Sequence, residues 1–140
     1  MRILKEEVQK IRQRLNANPI HLIIGALFIL TGFYLLVTDN FFLWPPEWHD
    51  VFNDDRVDAI AIIIGTCYFA FVLAGGTNQL ANTILLGSSA FYLTMLIVLE
   101  IGHALAFHVP GLVVAAIFQL GTVLLIEYCA RRSPTIKRRK

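Results

Sequence analysis

The sequence predicts an all-α integral membrane protein: a four-transmembrane-helix bundle, preceded by an N-terminal amphipathic helix, with both termini cytoplasmic. A hydrophobic fraction of 56% with only 16% charged residues is too apolar for an ordinary soluble domain of this length. Four apolar stretches long enough to cross a bilayer fill the middle of the chain. Eleven of the twelve Lys and Arg residues lie within the first 14 or last 10 positions. Because Lys and Arg in short flanking segments stay on the cytoplasmic side, this distribution also orients the bundle.

The segment before the first span, residues 2–16, is expected to form the amphipathic helix. Its apolar residues are spaced by four, three and four positions and so share one helical stripe: Leu4, Val8, Ile11 and Leu15. Its cations lie mostly off that stripe: Arg2, Lys5, Arg12 and Arg14. Such a helix beside a span usually lies flat among the lipid headgroups, with its cations near anionic lipid. The alternative is a coiled-coil contact with a partner protein, for which two heptads are a short basis.

The apolar stretches are bounded by residues typical of helix ends. Asn18, Asn82 and the Asn53–Asp55 run precede three of the stretches and are candidate N-caps. The Gly75–Gly76 pair is a candidate terminator of the second stretch. A helix of about 18 residues rises roughly 27 Å, which matches the hydrocarbon core of a bilayer. The expected transmembrane helices are residues 20–37, 57–74, 83–105 and 110–129.

The segments outside the spans differ in charge on the two sides of the predicted bundle. The loop over residues 38–56 and its border are acidic, which indicates the external side: Asp39, Glu47, Asp50, Asp54, Asp55 and Asp58. The segment over residues 130–140 is a basic tail, which contains Arg131, Arg132 and the run Lys137–Lys140. The expected basic cytoplasmic anchors are Lys5, Arg12, Arg14, Arg131 and Arg132.

Four aromatic residues flank the outer end of the first span: Phe41, Phe42, Trp44 and Trp48. Aromatic side chains at that depth normally anchor a protein at the membrane interface, and we expect that role here. Pro45 and Pro46 stiffen the chain between them and stop the first helix from continuing. An aromatic lip over an external pocket is the functional alternative.

Glu100 is the position that most strongly indicates chemistry. It lies about five residues beyond the middle of the third span, so roughly 7–8 Å toward the outer face. A charged group at the bilayer centre costs about 2.5–3.5 kcal/mol on insertion scales, and less at this depth. We therefore expect Glu100 to face the bundle interior, to be protonated or to have a partner. His103 shares its helical face and is a direct candidate, and His108 begins the next hairpin arm nearby.

Three interpretations of Glu100 and His103 follow. They form a proton-responsive pair, because a low-dielectric environment disfavours a carboxylate and imidazole titrates near neutrality. They bind a metal, since Glu-x-x-His places two ligands on one helical face, although di-iron bundles need two such motifs and two further Glu residues. They form a structural hydrogen bond between helices near the outer interface. Because the chain has one such motif and Glu127 lies at the opposite face, we expect no metal and no cofactor.

Other polar and small residues in the spans are expected to serve packing. Gln119, midway along the fourth span, should find a partner across a helix interface, either Glu100 or a residue of a symmetry-related copy. Glu127 and Arg131 have the spacing of a favourable ion pair, and His21 is expected at the inner interface. Small residues permit close approach of helices in lipid and predict packing within the bundle and self-association. These residues are Gly25, Gly32, Ala61, Gly65, Gly111 and Ala115.

No arrangement typical of a soluble enzyme occurs in the sequence, such as a Ser/His/Asp set, a phosphate-binding loop or a CxxC motif. We therefore expect no enzymatic activity and no nucleic-acid partner. The expected partners are the lipid bilayer and copies of the chain itself, and other protein partners are left open. The predicted function is an oligomerising membrane protein that forms or regulates a pore. In short length, several spans, amphipathic start and basic tail, the chain resembles bacteriophage holins. The expected location is the bacterial cytoplasmic membrane.

Two functions are considered as alternatives to a pore. One is a small proton-coupled transporter that uses Glu100. In size and span number the chain is similar to small multidrug transporters, but these carry their membrane carboxylate in the first helix, where this sequence has none. The other alternative is a non-catalytic accessory or assembly subunit, whose contacts run through the N-terminal helix, the external loop or the small-residue faces.

Overall fold

The computed structural model describes residues 2–38 and 41–132, with side chains from residue 6 onward, and the regular structure of these residues is helical. The helices are α1 (Arg2–Ala17), α2 (Pro19–Val37), α3 (His49–Phe52), α4 (Asp55–Leu73), α5 (Gln79–Phe107) and α6 (Pro110–Arg132), with a 3-10 turn at Pro46–Trp48. Four of them, α2, α4, α5 and α6, are long and apolar enough to cross a membrane. Asp39, the run Lys137–Lys140 and the side chain of Lys5 lie outside the described part of the chain.

The two ends of the bundle are named here after the predicted orientation. The inner end is the end at Asn18, and the outer end is the end at Trp44. α1 precedes α2 at the inner end, where the guanidinium group of Arg14 donates a hydrogen bond to the carbonyl oxygen of Leu73. In the predicted apolar stripe of α1, Val8 and Ile11 are exposed and Leu15 is half-buried, while the side chain of Leu4 lies outside the described part of the chain.

The predicted spans differ from the helices mainly at the start of α5 and the end of α6, which extend beyond them. Asn82 was expected to cap α5, and this prediction is wrong, because α5 begins earlier, at Gln79. Its N-cap is Asn78, whose Oδ1 accepts a hydrogen bond from the amide of Ala81 at 3.1 Å. The sequence signal misled because an Asn at the edge of an apolar stretch looks the same whether it caps a helix or bonds to a neighbouring one.

α2 and α4 pack closely because glycines face each other across their interface. A Cβ atom added to Gly65 would lie 2.5 Å from the carbonyl oxygen of Gly25 and 2.9 Å from the amide nitrogen of Ile29. Only glycine therefore allows this approach of the two backbones. In lipid, where helices gain little from burying apolar surface, such contact is a main source of association. The small residues of the first two spans thus meet within one chain.

α5 and α6 form the second helix pair, joined at the outer end by His108 and Val109. His108 adopts the left-handed conformation, with φ 57°, where the chain reverses. The contact between the two pairs is smaller and includes polar side chains. The hydroxyl of Ser89 on α5 donates to the hydroxyl of Tyr68 on α4 at 3.0 Å.

The segment between α2 and α4, predicted as an external loop, folds onto the outer end of the bundle. Asn53 holds it through two hydrogen bonds to the backbone of Phe42, accepting from its nitrogen at 2.9 Å and donating to its oxygen at 2.7 Å. Phe42 is buried, and Phe41 packs edge-on against it with ring centroids 4.8 Å apart. Asp58, grouped with the acids of this loop by the sequence, is instead buried near the start of α4.

Candidate functional site

Glu100 lies on the buried face of α5 and is 4% exposed. Gln119 on α6 donates a hydrogen bond from Nε2 to Oε1 of Glu100 at 2.6 Å. The two residues are nearly equidistant in sequence from the connection between α5 and α6, so the hairpin brings them to the same level. Of the two partners considered for Gln119, the structure provides Glu100 of the same chain.

Two oxygen atoms of this pair lack a hydrogen-bond donor among the described residues: Glu100 Oε2 and Gln119 Oε1. A buried acceptor left unpaired costs roughly 1–3 kcal/mol, and native proteins rarely keep one without a reason. Both atoms are acceptors, so a proton on the carboxyl group, a water molecule or a cation would satisfy them. The Glu100–Gln119 pair is therefore a polar site with two unsatisfied hydrogen-bond acceptors inside an apolar bundle.

His103 is buried one turn beyond Glu100, and its contacts run toward the outer segment. Its Nδ1 accepts a hydrogen bond from the amide of Leu43 at 3.3 Å, and its ring lies 4.9 Å from that of Phe107. A neutral imidazole that accepts through Nδ1 carries its proton on Nε2. His108 is exposed in the connection after α5 and does not join this cluster. Within the described residues, no group of three or more His, Cys, Asp or Glu side chains is placed to hold a metal ion.

The two tryptophans of the outer segment have different surroundings. The indole ring of Trp44 rests on Gly102 of α5, where even a Cβ atom would overlap it. Gly102 is two residues from Glu100 and so lies on a different face of α5, which means that Trp44 packs against α5 at the outer end of the bundle. Trp48 is 57% exposed and stacks on Phe52, with ring centroids 6.3 Å apart. Trp48 thus remains available for the predicted interfacial anchor, whereas Trp44 packs against the bundle.

A cavity of about 160 Å³ lies beside Gln119, between α2, α5 and α6. Three aromatic side chains, Phe28, Tyr92 and Phe118, contribute to its wall together with the hydroxyl-bearing residues Thr31 and Thr122. The cavity is thus largely apolar, and its polar lining residues include Gln119 and the two threonines. Its volume is below the range of about 300–1,000 Å³ that is usual for pockets of drug-sized ligands, so it suits only a smaller molecule.

A second polar cluster, which the sequence did not indicate, lies toward the inner end. His21 of α2 donates from Nε2 to Oδ1 of buried Asn82 on α5 at 2.8 Å. The ring of His21 also contacts the rings of Tyr68 and Phe71, with centroid distances of 5.8 Å and 5.5 Å. His21 was expected at the interface and Asn82 at a cap, so only the packing of α2 against α5 brings them together.

The basic residues predicted as anchors are distributed over the inner end. Arg12 is exposed on α1, and Arg14 contacts the end of α4. Arg131 pairs with Glu127 through Nη2 and Oε1 at 2.6 Å, which confirms the ion pair expected from their spacing. The next residue, Arg132, lies instead over the ring of Tyr128.

No family model, no curated protein and no solved structure matches this chain. The chain's own residues are therefore the basis for a function. What those residues offer is a buried carboxyl group with one unpaired oxygen, an amide that can donate and accept, and a neighbouring cavity. Such a site can take up or release a proton and can hold a small cation.

Proposed function

We propose that this protein is a small proton-coupled membrane transporter, in which Glu100 exchanges its proton for a monovalent organic cation. The observation that carries the proposal is the Glu100–Gln119 pair, because it puts an ionisable group with an unpaired oxygen inside an apolar bundle. Ionisable residues within membrane spans are costly and typically mark ion pathways and proton relays.

The proposed exchange is balanced in charge. Protonated Glu100 releases one proton, and its carboxylate takes one monovalent cation, so the site is neutral in both states. This avoids a bare carboxylate, which would cost about 2.5–3.5 kcal/mol at the bilayer centre and somewhat less at this depth. Gln119 suits both states, since its Nε2 donates to Glu100 and its Oε1 is an unpaired acceptor for a carboxylic O–H.

The cavity beside Gln119 supports a small cation as the transported solute. Aromatic rings attract cations to their faces, and Phe28, Tyr92 and Phe118 belong to its wall. The cavity lies where α2 meets α5 and α6, which is the smaller interface of the bundle. We expect this interface to open with the least loss of packing and so to give access to the site.

The test uses lipid vesicles that contain the full-length protein and a trapped pH-sensitive dye. Tetramethylammonium, tetraethylammonium or choline is added outside at equal pH, and the internal pH is recorded. With the wild-type chain we expect the interior to become alkaline, because protons leave as cations enter. In Glu100→Gln we expect the signal to fall to that of empty vesicles, since the amide has no proton to exchange.

Glu127→Gln is the matched control, because it removes a carboxylate from the exposed pair with Arg131 and leaves the buried pair intact. We expect it to retain the wild-type signal. An equal response in wild type and Glu100→Gln contradicts the proposal, and so does the absence of a response to all three cations.

An oligomeric pore is the second candidate, and the outward face of α6 favours it. Its exposed apolar side chains include Val113, Val114, Ile117, Leu120, Leu124 and Leu125. A Cβ atom at Gly121 would meet nothing within 4 Å, so this face is also free for a close contact between copies. If the vesicles release a larger trapped dye with wild type and Glu100→Gln alike, the pore is supported. If neither a change in internal pH nor dye release is observed, both candidates are contradicted and the accessory subunit is favoured.

A further inference from the structure

A cavity of about 310 Å³ lies at the inner end of the bundle, apart from the Glu100–Gln119 pair. Its wall is formed where α1 meets α2, by the turn after α4, and by the last turns of α6. Asn18 and Gly76 bring these parts together, since a Cβ atom on Gly76 would lie 2.5 Å from Nδ2 of Asn18. Gly76 also has φ 65°, a conformation that favours glycine. The cavity therefore lies where the junction of α1 and α2 packs closely against the turn after α4.

The polar groups around this inner cavity are suited to an anion. Arg132 contributes a guanidinium group, and Asn18 contributes the N–H groups of its side-chain amide. The first turn of α2 begins at the same wall. Pro19 has no N–H, so the backbone donors of this turn are the amides of Ile20 and His21, which have no partner within α2. Among the described residues, the lining contains no Asp or Glu. Positive charge and donors thus meet without an opposing carboxylate.

Two neighbouring arginines at the end of α6 differ in their partners. Arg131 is neutralised by Glu127 at 2.6 Å on the helix surface. Arg132 lines the inner cavity, and its guanidinium carbon lies 4.8 Å from the centroid of the Tyr128 ring. Stacking on an aromatic ring restricts the planar guanidinium group and leaves its N–H donors at the edge available. The cation of Arg132 is therefore presented to the cavity, whereas that of Arg131 is not.

We propose that the inner cavity binds a phosphate group, carried by the headgroup of an acidic phospholipid. Arginine and helix N-termini are the groups that recognise phosphate in proteins. The cavity lies where the apolar helices α2 and α6 meet the basic ends of the chain, which is the depth of lipid headgroups. Basic pockets between transmembrane helices at this depth bind such headgroups. Ile20 and Phe71 in the wall provide apolar surface for the adjoining part of the lipid.

The experiment uses the full-length protein in a neutral detergent and follows its thermal unfolding. Dioleoylphosphatidylglycerol, dioleoylphosphatidylcholine and inorganic phosphate are titrated separately. We expect phosphatidylglycerol to raise the unfolding temperature saturably, and phosphatidylcholine to have little effect. Arg132→Gln should raise the half-saturating concentration of phosphatidylglycerol by about 5-fold or more, since one cation near a membrane contributes about that factor. Arg131→Gln, the matched control, should leave it near the wild-type value.

The other possible results each support or contradict the proposal. Equal effects of Arg131→Gln and Arg132→Gln indicate diffuse charge attraction and overturn it, as does an equal response to phosphatidylcholine. A response to inorganic phosphate that depends on Arg132 supports the phosphate chemistry and assigns it to the free anion. If Arg132→Gln is unstable without lipid, Arg132→Lys replaces it. Retention of the phosphatidylglycerol response in that variant supports the proposal, and its loss contradicts it. None of these outcomes depends on whether Glu100 transports protons.

Discussion

The hydrogen bond from Gln119 to Glu100 contributes less free energy than a charged carboxylate costs inside a membrane. The hydrogen bond between them, at 2.6 Å, belongs to a class that contributes about 0.6 kcal/mol on average in membrane proteins and about 1.7 kcal/mol at most. A charged carboxylate at mid-bilayer costs more than that, about 2.5–3.5 kcal/mol. A leucine at position 100 would avoid this cost. The hydrogen bond to Gln119 therefore does not by itself offset the cost of a charged carboxylate in the bilayer.

A double-mutant cycle measures the coupling of the pair. Glu100→Leu and Gln119→Leu each leave the remaining partner buried without its hydrogen bond, whereas the double variant leaves neither. We therefore expect the double variant to be more stable than the sum of the single effects by about 0.6–1.7 kcal/mol. The free energy of unfolding is measured by circular dichroism during titration of the detergent-solubilised protein with dodecyl sulfate.

The control cycle combines Glu100→Leu with Thr66→Val. The hydroxyl of Thr66 bonds only to the carbonyl oxygen of Ile62 in its own helix, among the described residues. The two changes should be additive within about 0.3–0.5 kcal/mol. A coupling between Glu100 and Gln119 no larger than this would contradict the hydrogen bond.

The sequence pointed to some polar residues of the spans and missed others for a physical reason. Glu100 and Gln119 stand out because each is surrounded by apolar residues in the sequence. A polar side chain in the middle of such a span needs a hydrogen-bond partner. His21 and Asn82 lie near the ends of their predicted spans, where water, a lipid headgroup or a cap explains a polar side chain equally well. Their hydrogen bond depends on the register between α2 and α5, which no local pattern encodes.

The pairing of helices, like the hydrogen bond between His21 and Asn82, could not be predicted from local sequence patterns. The small-xxx-small pattern occurs at Ala61 with Gly65 and again at Gly111 with Ala115. The first pair is buried against α2, whereas a Cβ atom at Gly111 would meet nothing within 4 Å. The pattern indicates that another helix can approach closely, but it does not indicate whether that helix belongs to the same chain. Helix ends were predictable at Asp54 and Gly75, which act on their own backbone. The prediction failed at Asn82, and Asn18 stands at the N-cap of α2 without a side-chain cap hydrogen bond.

Two glycine substitutions test this difference between the helix faces. Gly65→Ala would force a methyl group to 2.5 Å from the carbonyl oxygen of Gly25, and neither backbone can yield without separating α2 from α4. We expect a loss of about 1–3 kcal/mol in the free energy of unfolding, the usual cost of overpacking. Gly121→Ala is the control, since nothing lies within 4 Å of its Cβ position, and it should be neutral or slightly stabilising. The dodecyl sulfate titration compares them, and equal effects would contradict the α2–α4 packing.

The whole molecule combines two tightly packed helix pairs with a looser contact between them. The polar groups considered above, Glu100 with Gln119, His21 with Asn82, and Tyr68 with Ser89, bond across helix interfaces. The number of spans and the placement of charge could be predicted, because they are properties of whole segments. The partition into pairs could not, because four apolar helices of similar character can be arranged in several ways.

The direction in which the bundle crosses the membrane is predicted from charge alone, and it can be measured directly. Single cysteines are placed at Asp50, exposed at the outer end, and at Thr77, exposed in the turn after α4, in a chain that carries Cys67→Ala and Cys129→Ala. Since Lys and Arg are retained in the cytoplasm, a membrane-impermeant maleimide should label Asp50→Cys in intact cells and Thr77→Cys only after lysis. The reverse pattern would invert the bundle and place Arg132 with its cavity outside. Labelling of both positions from one side would contradict a membrane crossing by α4, because this helix separates them.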